Sequence, residues 1–117
     1  MKNKIEKVTL YKVNEAGLEH ILRRKEIPSG AKLVLLRLIN RLKRKRYCWP
    51  KEETIGKEVG LSERQVRTHI KTLKRVGCFW IIRGKLIQTE TGEYRREVNT
   101  YDFLPLLLRY RKEVKVK

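Results

Sequence analysis

The sequence predicts a mainly α protein with a small β-hairpin (an α+β fold), and three observations carry that expectation. Residues 62–77 read as one well-marked amphipathic helix with both ends signalled. Two stretches ahead of it, 31–43 and 51–59, keep helical spacing of apolar residues. After Gly77 the chain turns to strand formers punctuated by glycine, beginning with Phe79-Trp80-Ile81-Ile82-Arg83.

In chain order, Lys7-Val8-Thr9-Leu10-Tyr11-Lys12-Val13 is rich in strand formers with partial alternation and predicts a strand. Asn14 is placed to cap a helix in which Leu18, Ile21 and Leu22 share a face, ending near Arg24 or Lys25. Ile27-Pro28-Ser29-Gly30 then breaks the chain. Residues 1–28 form an accessory segment, either an arm or part of a subunit interface. Ser29 is expected to cap the helix from Ala31 to Lys43. The apolar residues of that helix, Leu33, Val34, Leu35, Leu36, Leu38, Ile39 and Leu42, cover more than one face, as in a central helix packed on two sides. The basic run Lys43-Arg44-Lys45-Arg46 follows. It reads equally as a solvated helix end or as a phosphate contact.

Tyr47-Cys48-Trp49-Pro50 is extended and leads into the helix Lys51 to Val59, with Glu52 and Glu53 in its first turn, where acids suit the helix dipole. Gly56 is a poor helix former, explained if another helix approaches closely there. Gly60 ends this helix and Leu61 plugs the corner. Ser62, with Gln65 three residues on, makes a capping box for the next helix, and Gly77 is placed to stop it in a left-handed conformation. Val66, Ile70 and Leu73 share one face, while Arg64, Arg67, Thr68, Lys71 and Arg75 fall roughly opposite. Two short helices joined by a tight glycine-containing turn constitute a helix-turn-helix unit.

The segment beyond Gly77 predicts a hairpin: a strand from Phe79, a turn or bulge at Gly84-Lys85, and a tip at Thr91-Gly92-Glu93. The return strand runs from Arg95 to Phe103, with Val98, Tyr101 and Phe103 on the packed side. Leu104 to Tyr110 predicts a short helix with Pro105 in its first turn, and residues 109–117 a mobile charged tail.

Composition narrows the function. The 117 residues suffice for one domain with a modest core, and 40% of them are hydrophobic, too many for a disordered chain. No run approaches the roughly 18 apolar residues of a membrane span, and Met1 to Lys7 lacks the apolar stretch of a signal peptide. A cytoplasmic protein is expected. Thirty Lys and Arg against thirteen Asp and Glu give a net charge of +17. That excess points to a polyanionic partner, nucleic acid before an anionic membrane surface. Cys48 and Cys78 are isolated and the chain has two histidines, so no zinc-ligand spacing exists. Both cysteines read as reduced packing residues beside aromatics. Trp49 and Trp80 read as core residues, and His69 as a packing or hydrogen-bonding residue.

With helix, helix, turn, helix and hairpin in order, residues 29–108 resemble winged helix-turn-helix DNA-binding domains. The similarity is to the type found in phage and plasmid replication initiators, replisome organisers and small bacterial transcription regulators. It is carried by Trp49-Pro50, Glu53-Thr54-Ile55-Gly56, Gly60-Leu61-Ser62 with Arg64, Val66, Arg67 and Leu73, and Asn99-Thr100-Tyr101-Asp102. Two residues depart from the pattern: Lys51 stands where members often have a capping Ser or Thr, and Gly56 where they often have Ala.

The resemblance implies that the helix from Ser62 lies in the major groove of double-stranded DNA. Arg64 and Arg67 are then the first candidates for base readout, because Arg pairs bidentately with guanine. Thr68 and Gln65 add contacts to thymine or adenine, with Gln65 also claimed by the capping box. Lys71 and Arg75 are candidate phosphate contacts, Ser62 and Lys51 are further candidate DNA-binding residues, and the wing supplies Arg83, Lys85, Arg95 and Arg96 for the backbone or the adjacent minor groove. No cofactor, metal or small-molecule ligand is expected, and a homodimer would suit a reader of two half-sites. An enzyme finds no support in the motifs. The alternatives are a binder of RNA or single strands, which would display exposed aromatics, and a protein-interaction module.

Overall fold

In the computed structural model, which describes residues 4–116, the centre of the molecule is the helix α2 (Ser29–Asn40). Its Ala31, Val34, Leu35 and Leu38 are wholly buried. Against it pack α3 (Glu52–Val59) and α4 (Glu63–Arg75) through Ile55, Val66, Ile70 and Leu73. On the other side, Phe79, Tyr101 and Phe103 close the core, with ring centroids 5.4 Å apart for Phe79–Tyr101 and 5.1 Å for Phe79–Phe103. Tilted and edge-to-face rings at such spacing are favourable. The expected α+β class is the one found.

The N-terminal strand and helix are present as β1 (Lys4–Val13) and α1 (Glu15–Leu22), and Asn14 caps α1 by accepting from Gly17 N at 3.2 Å. The second helix differs from expectation at both ends. Pro28, not Ser29, is its cap residue, and it stops at Asn40 rather than Lys43. Lys43 and Arg44 then take positive φ (45° and 69°), which reverses the chain into β2 (Tyr47–Cys48). Leu33 and Leu36 are exposed, so α2 is packed on fewer sides than its apolar pattern implied.

Three short strands form one antiparallel sheet in the order β2, β6 (Thr100–Asp102), β3 (Trp80–Ile82). Tyr47, Asp102 and Trp80 lie directly opposite one another across it, as do Cys48, Tyr101 and Ile81. The second row faces the core. The first carries Tyr47 and Trp80 to the outside with Asp102 buried between them and paired with Arg46, and Trp49, two residues beyond Tyr47, is exposed as well. Both tryptophans were expected inside. The hydrophobic content of an indole does not say which side of a three-residue strand it takes.

The hairpin continues beyond this sheet as β4 (Leu86–Gln88) and β5 (Tyr94–Arg96), with Gly92 at the tip. The break between the two parts is at Gly84, where a Cβ would stand 1.8 Å from the Glu97 carbonyl. Gly84 N donates to Asn99 Oδ1 at 3.0 Å, and Glu97 N to Lys85 O at 2.8 Å. The return strand is therefore two strands and not one. Val98, in the gap between them, is exposed rather than packed.

The last part of the chain departs most from expectation. Leu104–Leu106 is a single 3-10 turn that buries Leu106, and Leu107–Val116 is a strand, β7, paired antiparallel with β1 along its whole length. The expected helix to Tyr110 and the expected charged tail are thus one half of a two-stranded arm; Lys117 lies outside the described residues. At ten residues per strand the arm is about 34 Å long. It lifts the radius of gyration to 17.3 Å, against about 13 Å for a compact chain of 100 residues. Its base is tied down by Tyr11 N donating to Arg44 O (2.9 Å) and Asn14 N to Leu106 O (2.8 Å). Among the described residues, no helix is long and apolar enough to cross a membrane.

Candidate nucleic-acid interface

The site is built on α4, and both of its ends are locked. Ser62 Oγ accepts from Gln65 N at 3.1 Å while Ser62 N donates to Gln65 Oε1 at 2.9 Å, the reciprocal capping box. At the other end Gly77 takes φ 87°. Cys78 N reaches Leu73 O and Gly77 N reaches Lys74 O, both at 3.1 Å, the paired bonds of a glycine helix stop. The turn ahead of α4 is equally defined. Gly60 takes φ 74°, and Leu61 N donates to Gly56 O at 2.9 Å. At Gly56 the close approach comes from the Leu61 carbonyl, 2.5 Å from where a Cβ would stand, and only secondarily from Val66 of α4. The expected helix-on-helix reason is therefore replaced by a turn carbonyl.

α3 is held on α2 by Glu58, which accepts from Arg37 Nε at 2.9 Å and also pairs with Arg41. The Arg37 hydrogen bond, with the charge of Arg41, holds the Glu58 carboxyl below its usual range. This clamp orients the helix-turn-helix pair relative to the core.

The predicted contact residues on α4 do not have equal freedom. Arg64, Lys71 and Arg75 are exposed and form no ion pair among the described residues. Arg67 is engaged by two carboxylates, Glu63 at 3.3 Å and Glu52 of α3 at 3.4 Å. Thr68 Oγ1 donates back to Arg64 O at 3.1 Å, and the carbonyl of Gln65 belongs to the capping box. Lys51 is exposed at the start of α3 and provides no side-chain cap. Lys74, exposed in the last turn beside Arg75, adds a cation absent from the expected set.

In the hairpin, Arg83, Lys85 and Arg95 are exposed without an ion-pair partner among the described residues. Arg96 is partly committed, since its Nη1 donates to Gly84 O at 3.0 Å and so helps hold the break between the two sheets. Between the hairpin and the starts of α3 and α4 lies a cleft of about 280 Å³ bordered by Lys51 and Arg96 but also by Glu52, Glu53, Glu63 and Glu97. Those acids explain the capture of Arg67. The Glu63–Arg67 spacing of four was visible in the sequence; the Glu52 contact was not.

No group of three or more metal-ligating side chains exists among the described residues. Cys48 and Cys78 are free and buried, and burial pushes their thiols up to about 12 and about 11, far from reactive thiolates. His69 packs over Gly30 at the start of α2.

With this geometry in place, comparison with known families finds a match. Residues 25–77 are similar to a helix-turn-helix domain, a span that contains α2, α3, the turn, α4 and the Gly77 stop. No curated protein and no solved structure matches the chain.

Proposed function

We propose that this chain is a double-stranded DNA-binding protein of winged helix-turn-helix type, acting as a transcriptional regulator or as an accessory of phage or plasmid replication initiation. The observation that carries the reading is the exposed cationic row Arg64, Lys71 and Arg75 on a helix capped at both ends. That helix lies within the stretch similar to a helix-turn-helix domain, and a basic hairpin follows it. α4 enters the major groove, and Arg64, near its N-terminus, reads a base edge. Arg67 reads a base only after leaving Glu52 and Glu63, so it contributes less. Lys71, Lys74, Arg75 and Lys51 contact phosphates, and Arg83, Lys85 and Arg95 of the wing follow the backbone or the adjacent minor groove. Ser62, Gln65, Thr68 and Arg96 act chiefly by shaping the elements that carry these contacts.

The test is selection from a randomised duplex pool at two salt concentrations, with sequencing of the retained fraction. A motif that persists at the higher salt is expected, and its symmetry reports whether one or two copies read it. Retention without a motif, collapsing with salt, would reduce the surface to a general polyanion binder.

A further inference from the structure

Both tryptophans of the chain sit on the outer face of the β2–β6–β3 sheet or at its margin, Trp80 at 54% and Trp49 at 59% exposure. With them are Tyr47 at 39% and Ile82 at 52%. Single exposed apolar residues need no explanation, but four large ones gathered on one sheet face and its margin mark an interaction surface. Tyr47 and Trp80 flank Asp102 in one cross-strand row, which places their backbones about 10 Å apart.

The charges around the patch decide what fits it. Asp102, the acid in the row, is neutralised by Arg46 through two hydrogen bonds of 2.9 and 2.8 Å. On the Tyr47 side, a concavity of about 380 Å³ is lined by Tyr47 and Trp49 together with Arg41, Lys43 and Lys45. Lys43, Arg44 and Lys45 form no ion pair among the described residues. The left-handed turn at Lys43 and Arg44 is what brings the basic run back beside the aromatics.

We infer that this face is a second nucleic-acid site, one that stacks unpaired bases of a single strand on Trp49 and Trp80 while the 43–45 turn holds its phosphates. Aromatic faces beside unpaired cations match a strand whose bases are splayed out. A duplex keeps its bases stacked and offers such a surface nothing but phosphate. A second copy of this chain, also carrying +17, is disfavoured by like charge. The site uses neither α4 nor the hairpin tip, so it does not depend on the duplex-reading proposal.

The two tryptophans make the site its own reporter. The full chain is titrated with oligo(dT) and, separately, oligo(rU) of about 12 nucleotides, within the usual range of single-strand sites. Binding is followed by fluorescence anisotropy and by quenching of tryptophan emission. Saturable quenching is expected, with Trp49→Ala and Trp80→Ala each weakening binding roughly 5- to 150-fold. Trp80→Phe should keep most of the affinity. Equal affinity for the two strands supports stacking indifferent to sugar, and preference for one supports the same site with DNA or RNA as its ligand. The inference is overturned if single strands bind with no quenching and no loss in the alanine variants. It is also overturned if sedimentation shows a dimer that Trp80→Ala abolishes, since the face would then belong to a second copy.

Discussion

Arg64 and Arg67 have the same chemistry and lie one turn apart, yet their surroundings assign them different weights. Arg64 has no carboxylate partner among the described residues, whereas Arg67 is drawn to Glu52 and Glu63. Exposed pairs of this kind are each weak, but both must yield before the guanidinium can meet a base. Arg64→Ala should therefore cost about 1–3 kcal/mol at a selected site and relax specificity there, with Arg67→Ala costing less. Glu63→Gln should tighten binding by releasing Arg67; unchanged or weaker affinity in a duplex titration would show that the pair orients Arg67 instead. Asp102, in the central strand β6, ties the sheet to the segments on either side of it. It accepts two bonds from Arg46 and a third, at 3.1 Å, from Leu104 N. The Arg46 hydrogen bonds hold its carboxyl below the ordinary range. A lowered folded value means the contribution is complete above the ordinary carboxylate range and disappears as pH falls through that lowered value. Asp102→Ala should cost about 2–3 kcal/mol in denaturant unfolding at neutral pH. It should also lose part of the acid sensitivity, leaving the part contributed by Glu58.

At the scale of the element, the helix-turn-helix depends on one short loop. Gly56, Gly60 and Leu61 are tied by Leu61 N to Gly56 O, and the Leu61 carbonyl occupies the space a side chain at 56 would need. Alanine is the better helix former by about 1 kcal/mol, so propensity alone favours Gly56→Ala. Here the carbonyl must move, and overpacking of that kind costs about 1–3 kcal/mol. The substitution should be net destabilising and should reduce duplex affinity by re-aiming α4. A rise in thermal midpoint with affinity retained would refute the close approach. The hairpin is governed similarly by Gly84, which lets one strand pair pass into the next, with Arg96 closing the gap. Its cations are thereby carried beyond the core sheet, where Arg83, Lys85 and Arg95 are available to a polyanion.

Across the molecule, a net charge of +17 predicts salt-dependent duplex binding whose steepness follows the number of phosphate contacts. Each phosphate contact releases counterions, so the slope of log affinity against log salt counts contacts. Lys71→Ala should lower duplex affinity alike for selected and random sequence and reduce the slope by about one unit; an unaltered slope would remove Lys71 from the phosphate set. The β1–β7 arm is the other whole-molecule feature. Two strands without a third are marginal in water, so its persistence rests on its base, where Tyr11 and Asn14 bond to Arg44 and Leu106. Through Tyr11, the arm and the strained basic turn are mechanically joined.

Features that depend on neighbours within a few residues could be read from the chain alone. The capping box at Ser62 and Gln65, the glycine stops at Gly60 and Gly77, the Asn14 cap and the hairpin tip at Gly92 all rest on such short-range contacts. The buried stripe Val66, Ile70 and Leu73 was legible for the same reason, since helical periodicity is a local property. Tertiary structure alone decided the rest. β7 exists because residues 107–116 meet residues 4–13 across nearly the whole chain, and a strand's partner is not written in its own alternation. Trp49 and Trp80 took the solvent side because strands of two or three residues carry too little pattern to fix a face. Arg67 met Glu52, and Arg46 met Asp102, through the packing of separate elements. Which cations remain free for a partner follows from those long-range pairings, and composition reports only their sum.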